Sequence, residues 1–125
     1  MKMYLLFSHK LTKEQELDAK NTLNIKEFIY LPDNLQKLWS NIPPDINDID
    51  RFLNPIKDFL KRNLKDGDFV LVQGDFGATC KIASFVKALK AKPVYATTVR
   101  DSKEELINGN IVKTSVFKHV MFRSF

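Results

Sequence analysis

Three short polar segments carry the side chains that are best suited to chemistry, and each follows an apolar run that predicts a β-strand. The segments are Ser8-His9-Lys10, Gln73 to Thr79, and Thr97 to Arg100. Ligands of an open parallel sheet bind beyond the carboxyl ends of its strands. We therefore expect the three segments to converge on one edge of a sheet. Hydroxyls, amides, an imidazole, an ammonium and a guanidinium would face one ligand there.

The segment Gln73-Gly74-Asp75-Phe76-Gly77-Ala78-Thr79 leads into a predicted helix and has the composition of a phosphate-binding turn. Two glycines allow the backbone to approach a ligand closely, and the free N–H groups at the start of a helix favour an anion. Asp75 would repel a phosphate, so it either caps the helix or bonds a ribose hydroxyl. A plain turn between strand and helix, with a helix cap, is the alternative interpretation.

His9 is our candidate proton acceptor, because an imidazole transfers protons near neutral pH. Lys10 and Arg100 are candidates for offsetting the charge of a phosphate, and Arg100 has a guanidinium that can form two parallel hydrogen bonds. Thr97 and Thr98 would hold phosphate or ribose oxygens. The alternative is a loop with local hydrogen bonds, two ordinary strand threonines and a solvated arginine.

Ser8, His119 and Arg123 complete the set of candidate ligand contacts, the last two on the final segment of the chain. The two histidines are far apart, only one cysteine is present and no H-x-x-x-H occurs. The sequence therefore predicts neither a metal site nor a bound cofactor. Cys80 lies near the start of a predicted helix, where it is either a thiol with a mildly favoured thiolate or a small packing residue.

The elements that must position these groups alternate between strand and helix. A T-x-x-Q capping box predicts a helix start at Thr12, and Pro55 should kink or split a helix that runs from Ile49 to Leu64. Asn108-Gly109 predicts a hairpin turn. The predicted order is β-α-β-α-α-β-α-β, followed by a hairpin. The predicted strands cover residues 4–7, 28–31, 69–72 and 94–96, and the predicted helices begin near residues 12, 33, 49 and 78.

This alternation favours an α/β fold, a compact Rossmann-like domain with a mainly parallel sheet flanked by helices and a C-terminal β-hairpin. The chain has 125 residues, of which 44% are hydrophobic, which is enough to bury one core. No linker divides it, so we expect a single domain over residues 1–125. Neither a G-x-G-x-x-G motif nor a Walker A loop is present.

Charge is unevenly distributed along the chain, whose net charge is +5. Residues 1–50 carry six lysines and eight acidic residues, whereas residues 51–125 carry fourteen basic and seven acidic residues. The basic half suits an anionic partner such as a nucleotide or RNA; a solvated lysine-rich surface is the alternative. No run suits a membrane span or a signal peptide. We expect a cytoplasmic protein that binds neither membrane nor duplex nucleic acid.

At these same segments the chain resembles the small stand-alone ring nucleases that accompany type III CRISPR systems. Six stretches in the same order carry the resemblance, and they run along the whole chain. They are Leu5 to Thr12, Phe28 to Pro32, Leu38 to Pro44, Gln73 to Thr79, Tyr95 to Arg100 and Val116 to Arg123.

The resemblance implies a fold related to the CARF sensor domains and a homodimer with the ligand on its two-fold axis. It also implies that the protein binds a cyclic oligoadenylate second messenger, which we expect to be cyclic tetra-adenylate, and cuts it to linear products, which switches off the antiviral response. Attack by a ribose 2′-OH on the adjacent phosphorus needs no metal. The alternatives are a protein that sequesters the same messenger uncut and a generic nucleotide-binding regulatory domain.

Overall fold

The computed structural model describes residues 1–125 and contains one curled five-stranded sheet with four helices. The predicted order of strands and helices is confirmed. The strands are β1 (Lys2–Leu6), β2 (Glu27–Tyr30), β3 (Phe69–Val72), β4 (Lys92–Ile107) and β5 (Asn110–Ser124). The helices are α1 (Lys13–Leu23), α2 (Asp33–Ser40), α3 (Asp50–Asn63) and α4 (Phe76–Ala88).

The sheet has the strand order β2-β1-β3-β4-β5, and its first four strands are parallel. β5 returns antiparallel beside β4. The fold is therefore mixed α/β with a mainly parallel sheet and a C-terminal hairpin. Parallel strands need helical crossovers, which place helices on both faces of the sheet.

The two faces of the sheet bury different sets of side chains because side chains alternate along a strand. Tyr4 and Leu6 of β1 join the core under α2, α3 and α4, whereas Met3 and Leu5 join the core under α1. β3 alternates in the same way, so both central strands are buried on both sides. This burial explains why their sequences are continuous apolar runs.

The start of α1 follows the sequence prediction. The Thr12 side chain accepts a hydrogen bond from the backbone N–H of Gln15, and the Gln15 side chain accepts one from the backbone N–H of Thr12. Asn24 ends the helix in a left-handed conformation, φ 56°, which asparagine tolerates better than most residues. The capping box therefore fixes the direction in which the chain leaves the β1–α1 loop.

The expectation that Pro55 splits the third helix is wrong. α3 is one helix of 14 residues that contains Pro55, and Leu53, Ile56 and Leu60 on one face of it are fully buried. The proline forfeits a single hydrogen bond to the carbonyl of Arg51, and both residues are exposed, so water can replace that bond. None of the four helices is long and apolar enough to cross a membrane.

The C-terminal hairpin is much longer than the sequence predicts. β4 continues from the predicted strand at residues 94–96 to Ile107, and Asn108-Gly109, with φ values of 51° and 79°, makes the predicted turn into β5. Every residue from Thr98 to Lys118 is exposed, so this part extends away from the cores; we call residues 98–119 the hairpin arm. The segment Thr97 to Arg100 thus lies within a strand, not beyond its end, which corrects the expectation above.

A buried aspartate joins three of the strands where β3 begins. Asp68 Oδ1 accepts the backbone N–H of Lys2 at 3.2 Å, and Oδ2 accepts that of Lys65 at 3.0 Å. The Asp68 carbonyl accepts the backbone N–H of Lys92 at 2.8 Å. The side chain thereby accepts two backbone N–H groups, one from β1 and one from the loop between α3 and β3.

We expect Asp68→Ala to lower the free energy of unfolding by about 2 kcal/mol, because it removes two hydrogen bonds that a buried carboxylate accepts. Urea denaturation followed by circular dichroism measures this. Asp66→Ala, two residues earlier and exposed, is the matched control and should change stability by no more than about 0.5 kcal/mol. Equal stability of the two variants would show that the Asp68 bonds contribute nothing.

Candidate functional site

The direction of the crossovers places a crevice between β1 and β3. The chain moves from β1 to β2 on one side and from β3 to β4 on the other, so the strand order reverses at this point. Ser8, His9, Gln73 and Gly74 line a depression of about 230 Å³ there, together with Phe7. Two of the three predicted segments therefore meet at the carboxyl ends of β1 and β3, as expected.

A larger cleft, which we call the arm cleft, opens beside this depression between the β1–α1 loop, the first turn of α1 and the hairpin arm. Its volume is about 540 Å³. It gathers four of the predicted site residues, two from each end of the chain. The lining consists of Phe7, His9, Lys10, Thr12, Lys13, Glu14, Gln15, Thr98, Val116, Phe117, Lys118 and His119.

Two lysines, Lys10 and Lys13, make the α1 side of the arm cleft positively charged against one glutamate. Lys118 also lines the cleft, but it pairs with Val99 on the other face of the arm, and its ammonium lies 3.3 Å from the Asp101 carboxylate. Lys13 holds the first position of α1, where its charge adds to the positive end of the helix dipole. Positive charge that is concentrated in a cleft attracts anions, so the arm cleft suits a phosphate-bearing ligand.

The two histidines of the cleft are in different environments. The His9 side chain is exposed, and its ring contacts that of Phe7 edge-on at 5.4 Å between centroids. The His119 side chain is only 5% exposed, and its Nε2 lies 2.7 Å from Oδ2 of Asp18 on α1. Its Nδ1 is buried without a partner. Only the His9 imidazole is freely accessible to a ligand.

Asp18 contacts His119, one of the predicted site residues, and the sequence did not indicate this contact. It stands 101 positions before His119 and looks like one more acidic residue on an exposed helix face. Thr22, one turn later on α1, donates a hydrogen bond to the same carboxylate. The aspartate therefore links α1 to β5 and holds one wall of the arm cleft in place.

A β-bulge in β5 positions His119. Thr97 pairs with Met121 and Thr98 pairs with His119, so Val120 is an extra residue. The Thr97 hydroxyl lies 3.2 Å from both the N and the O of Met121, donating to the carbonyl and accepting from the N–H. The predicted ligand contact Thr97 is thus engaged with the backbone of the bulge, whereas Thr98 lines the cleft.

Arg100 lies further out on the arm. Its Nε and Nη2 atoms are 3.1 and 3.0 Å from the Ser115 hydroxyl, and its guanidinium carbon is 5.9 Å from the ring centroid of Phe117. Arg100 pairs with Phe117, and Thr98 pairs with His119. All four share one face of the arm because paired residues, and residues two apart on β4, point the same way. Arg100 is therefore on the cleft side of the arm but is not among the lining residues.

The predicted phosphate turn has a different structure. α4 begins at Phe76, and the Asp75 carboxylate caps it by accepting the backbone N–H of Ala78 at 3.0 Å. Gly77, Ala78 and Thr79 therefore belong to the first turns of a capped helix, and Ala78 is fully buried in the core. Of the alternatives that the sequence left open for Asp75, capping is the one observed. Its negative charge stands where the phosphate was expected.

Packing requires a glycine at position 74. A Cβ atom at Gly74 would lie 3.0 Å from the indole Nε1 of Trp39. The same Nε1 donates to the carbonyl of Gln73 at 3.0 Å. Neither Gly74 nor Gly77 has a positive φ. The glycine therefore allows a buried tryptophan to pack against the backbone at the end of β3.

A third cavity, which we call the aromatic pocket, lies beside α4, between the carboxyl end of β3 and the first residues of β4. Its volume is about 350 Å³. It takes in four predicted ligand contacts from the segment Gln73 to Thr79, although not in the role predicted for them. The lining consists of Val72, Gln73, Gly74, Phe76, Thr79, Cys80, Tyr95 and Phe125. Cys80 is exposed here and is not a core packing residue.

Two further predicted contacts are occupied by local partners. Arg123 donates from Nη1 to the Tyr95 hydroxyl at 3.0 Å and lies beside the aromatic pocket. The Ser8 and Ser40 hydroxyls are 3.1 Å apart. No group of three or more His, Cys, Asp or Glu side chains is placed to hold a metal ion. The candidate site residues thus fall into two groups, one in the arm cleft and one in the aromatic pocket. The depression at the strand ends connects these two cavities.

The fold and its pockets define a small mixed α/β protein that has cavities of ligand size along one edge of the sheet and a projecting hairpin arm. The chain belongs to the Uncharacterized protein MJ1673 family, whose model matches residues 1–123 and so includes the whole arm cleft. It is similar to Uncharacterized protein MJ1673 of Methanocaldococcus jannaschii, with 52% identity over 124 residues, 99% of this chain and 96% of that protein. No solved structure matches the chain.

We expect Gly74→Ala to lower the free energy of unfolding by about 1–3 kcal/mol, because the new methyl group must displace a fully packed indole. Gly77→Ala is the matched control. Its Cβ would meet its nearest neighbours at 3.5 Å, and alanine favours the helix by up to about 1 kcal/mol over glycine. Urea denaturation of both variants checks this, and a destabilised Gly77→Ala with a neutral Gly74→Ala would contradict it.

Proposed function

We propose that this protein is a ring nuclease that binds a cyclic oligoadenylate, cyclic tetra-adenylate, and cleaves it to linear products, which ends type III CRISPR signalling. We also propose that its fold is Rossmann-like and related to the CARF sensor domains. The strand order β2-β1-β3-β4 and the crevice between β1 and β3 support the second proposal.

The observation that carries the functional proposal is the composition of the arm cleft. An accessible imidazole, His9, stands beside two lysines, Lys10 and Lys13, in a space of about 540 Å³. The lysines suit a ligand with several phosphates, and the imidazole suits a reaction that moves a proton. A cyclic oligoadenylate offers both, because every phosphodiester in it adjoins a ribose 2′-OH.

The reaction that fits these groups is an internal transesterification. The 2′-oxygen attacks the adjacent phosphorus in line, the bond between phosphorus and O5′ breaks, and a 2′,3′-cyclic phosphate and a 5′-hydroxyl result. His9 accepts the proton of the 2′-OH, and O5′ takes up a proton from water. Positioning of the nucleophile and stabilisation of the phosphate charge supply most of the catalysis in phosphoryl transfer.

The remaining groups have supporting roles in this proposal. Lys10 stands next to His9 and neutralises the charge that develops on the phosphate, and Thr98 bonds a ribose or phosphate oxygen. Arg100 carries a permanent charge on the cleft side of the arm, where it attracts the ring before and during the reaction. His119 does not accept the proton, because Nε2 is bonded to Asp18 and Nδ1 is buried.

A homodimer with the ring on its two-fold axis completes the proposal. The arm exposes large apolar side chains on both of its faces, among them Val116 and Phe117, the second of which is 67% exposed. Apolar patches of this kind mark interfaces. A two-fold dimer presents each cleft twice, which matches the repeated nucleotides of a cyclic ligand.

Incubation with cyclic tri-, tetra- and hexa-adenylate, with and without EDTA, followed by chromatography tests the proposed activity. We expect cyclic tetra-adenylate to disappear in both conditions and a 2′,3′-cyclic phosphate product to form. Binding of an intact ring would instead favour sequestration, and neither binding nor cleavage would leave only a generic regulatory domain.

We expect His9→Gln to slow single-turnover cleavage about 10²–10⁴-fold, because it removes the proton acceptor, while the affinity for the ring stays close to that of the wild type. His119→Gln is the contrasting variant: its amide still donates to Asp18, so cleavage should remain close to the wild-type rate. Rapid-quench assays at saturating enzyme separate rate from binding. The reverse order of effects would transfer the acceptor role to His119.

Lys10→Ala and Lys13→Ala should weaken ring binding and also reduce its dependence on salt. The slope of log K against log salt should fall by about 0.7 for each lysine that contacts a phosphate. Lys103→Ala is the control, since Lys103 lies near the tip of the arm and outside the cleft. Fluorescence titrations between low and high ionic strength measure the slopes, and an unchanged slope in both cleft variants would place the phosphates elsewhere.

A further inference from the structure

We infer that the aromatic pocket is an adenine-binding subsite, in which one base of the ligand is held while its phosphates lie in the arm cleft. The inference rests on the proposed function for the identity of the ring. The recognition of an adenine base rests on the pocket itself. Its evidence is an exposed aromatic ring, a second ring fixed beside the same cavity, and two side chains with unused hydrogen-bonding capacity.

Phe76 is the first side chain of the pocket that suits a bound base. It is 92% exposed at the first position of α4, directly after the Asp75 cap. The capped helix start fixes its backbone, so the exposed ring is held beside the cavity. Aromatic side chains displayed in this way provide stacking surfaces for bases, because every base has a π-face.

Tyr95 provides a second ring in the same pocket, and its neighbours hold it in place. Arg123 bonds its hydroxyl at 3.0 Å and lies with its guanidinium carbon 5.5 Å from the ring centroid. Phe125 packs against it with 5.0 Å between centroids. The guanidinium also adds a positive charge at the rim, which suits the phosphate attached to a bound nucleoside.

Two side chains of the pocket, Thr79 and Gln73, have unused hydrogen-bonding capacity that complements a purine with an amino group. The Thr79 Oγ1 atom is buried with no hydrogen bond. The Gln73 Oε1 atom accepts the backbone N–H of Ala96 at 2.9 Å, which leaves the Nε2 amide free to donate. Adenine offers an exocyclic amino donor for the hydroxyl and ring nitrogens that accept from the amide, whereas uracil has no amino group.

The size and position of the pocket fit one base of a larger ligand. A volume of about 350 Å³ is near the lower limit for ligand pockets, so it holds a nucleoside and not a whole ring. Gln73 and Gly74 line both the pocket and the depression at the strand ends, and His9 lines both the depression and the arm cleft. The three cavities therefore form one path along the sheet edge.

The single tryptophan is a built-in reporter for this pocket. Trp39 donates its indole N–H to the carbonyl of Gln73 and packs against Gly74, both of which line the pocket. Titration of the protein with AMP, followed by the indole resonance in ¹H–¹⁵N spectra, measures occupancy. We expect saturable movement of this resonance with AMP and a weaker response with UMP.

Two variants and two controls decide the assignment. Phe76→Ala should weaken AMP binding about tenfold through loss of stacking, and Thr79→Val should reduce the preference for AMP over UMP. Leu106→Ala and Thr114→Val make the same kinds of change at exposed positions near the tip of the arm and should bind as the wild type does. Because Phe76 is exposed, its replacement leaves the fold intact, which circular dichroism verifies.

The outcomes separate this inference from the proposed activity. AMP binding that moves the Trp39 resonance and depends on Phe76 supports the subsite, even if no cyclic ring is ever cleaved. Wild-type affinity for AMP in both pocket variants overturns the subsite, even if cyclic tetra-adenylate is cleaved. Failure of AMP to bind the wild-type protein at millimolar concentration overturns it as well.

Discussion

The extra residue in β5 is the constraint on which the arm cleft depends. His119 and Phe122 are three positions apart, an odd spacing that would put them on opposite faces of a regular strand. The bulge at Val120 brings them to the same face, with 4.7 Å between their ring centroids. Phe122 then enters the core under α1, and His119 reaches Asp18. Without the bulge the arm would have no polar link to α1, and the cleft would lose a wall.

The two halves of the candidate site are built by different physical means. The arm cleft is held by polar contacts between elements far apart in the chain, chiefly the Asp18–His119 pair. The aromatic pocket is held by packing at the end of β3, where Trp39 packs against Gly74 and donates a hydrogen bond to the carbonyl of Gln73. Charge and aromatic surface are thus separated along one sheet edge, an arrangement that suits a ligand with phosphates on one side and bases on the other.

Features that depend on local sequence could be predicted. The capping box at Thr12, the helix over residues 33–40, the strand over residues 69–72 and the turn at Asn108-Gly109 each follow from a few adjacent residues. The hairpin arm could not be predicted at its full length, because both of its faces are exposed and no apolar alternation marks its strands.

The sequence predicted which residues line the arm cleft better than it predicted the contacts that hold them in place. His9, Lys10, Thr98 and His119 do share one cleft. Asp18 was missed because a salt-bridging acid on an amphipathic helix has the same sequence pattern as a solvated one. The packing role of Gly74 was missed because a glycine that accommodates a tryptophan from a helix looks the same, in sequence, as one that accommodates a phosphate.

The position of β1 has a consequence for how the chain is made. β1 comes first in the chain but lies inside the sheet, and the first bond that joins it to the β3 side, from Lys2 to Asp68, spans 66 positions. On the ribosome, its apolar edge stays unpaired on that side until Val72 has emerged. Unpaired apolar strands of this kind associate with other chains. The β4–β5 hairpin, by contrast, closes through a two-residue turn within microseconds of its synthesis, so β1 is the strand that stays open to aggregation for longest.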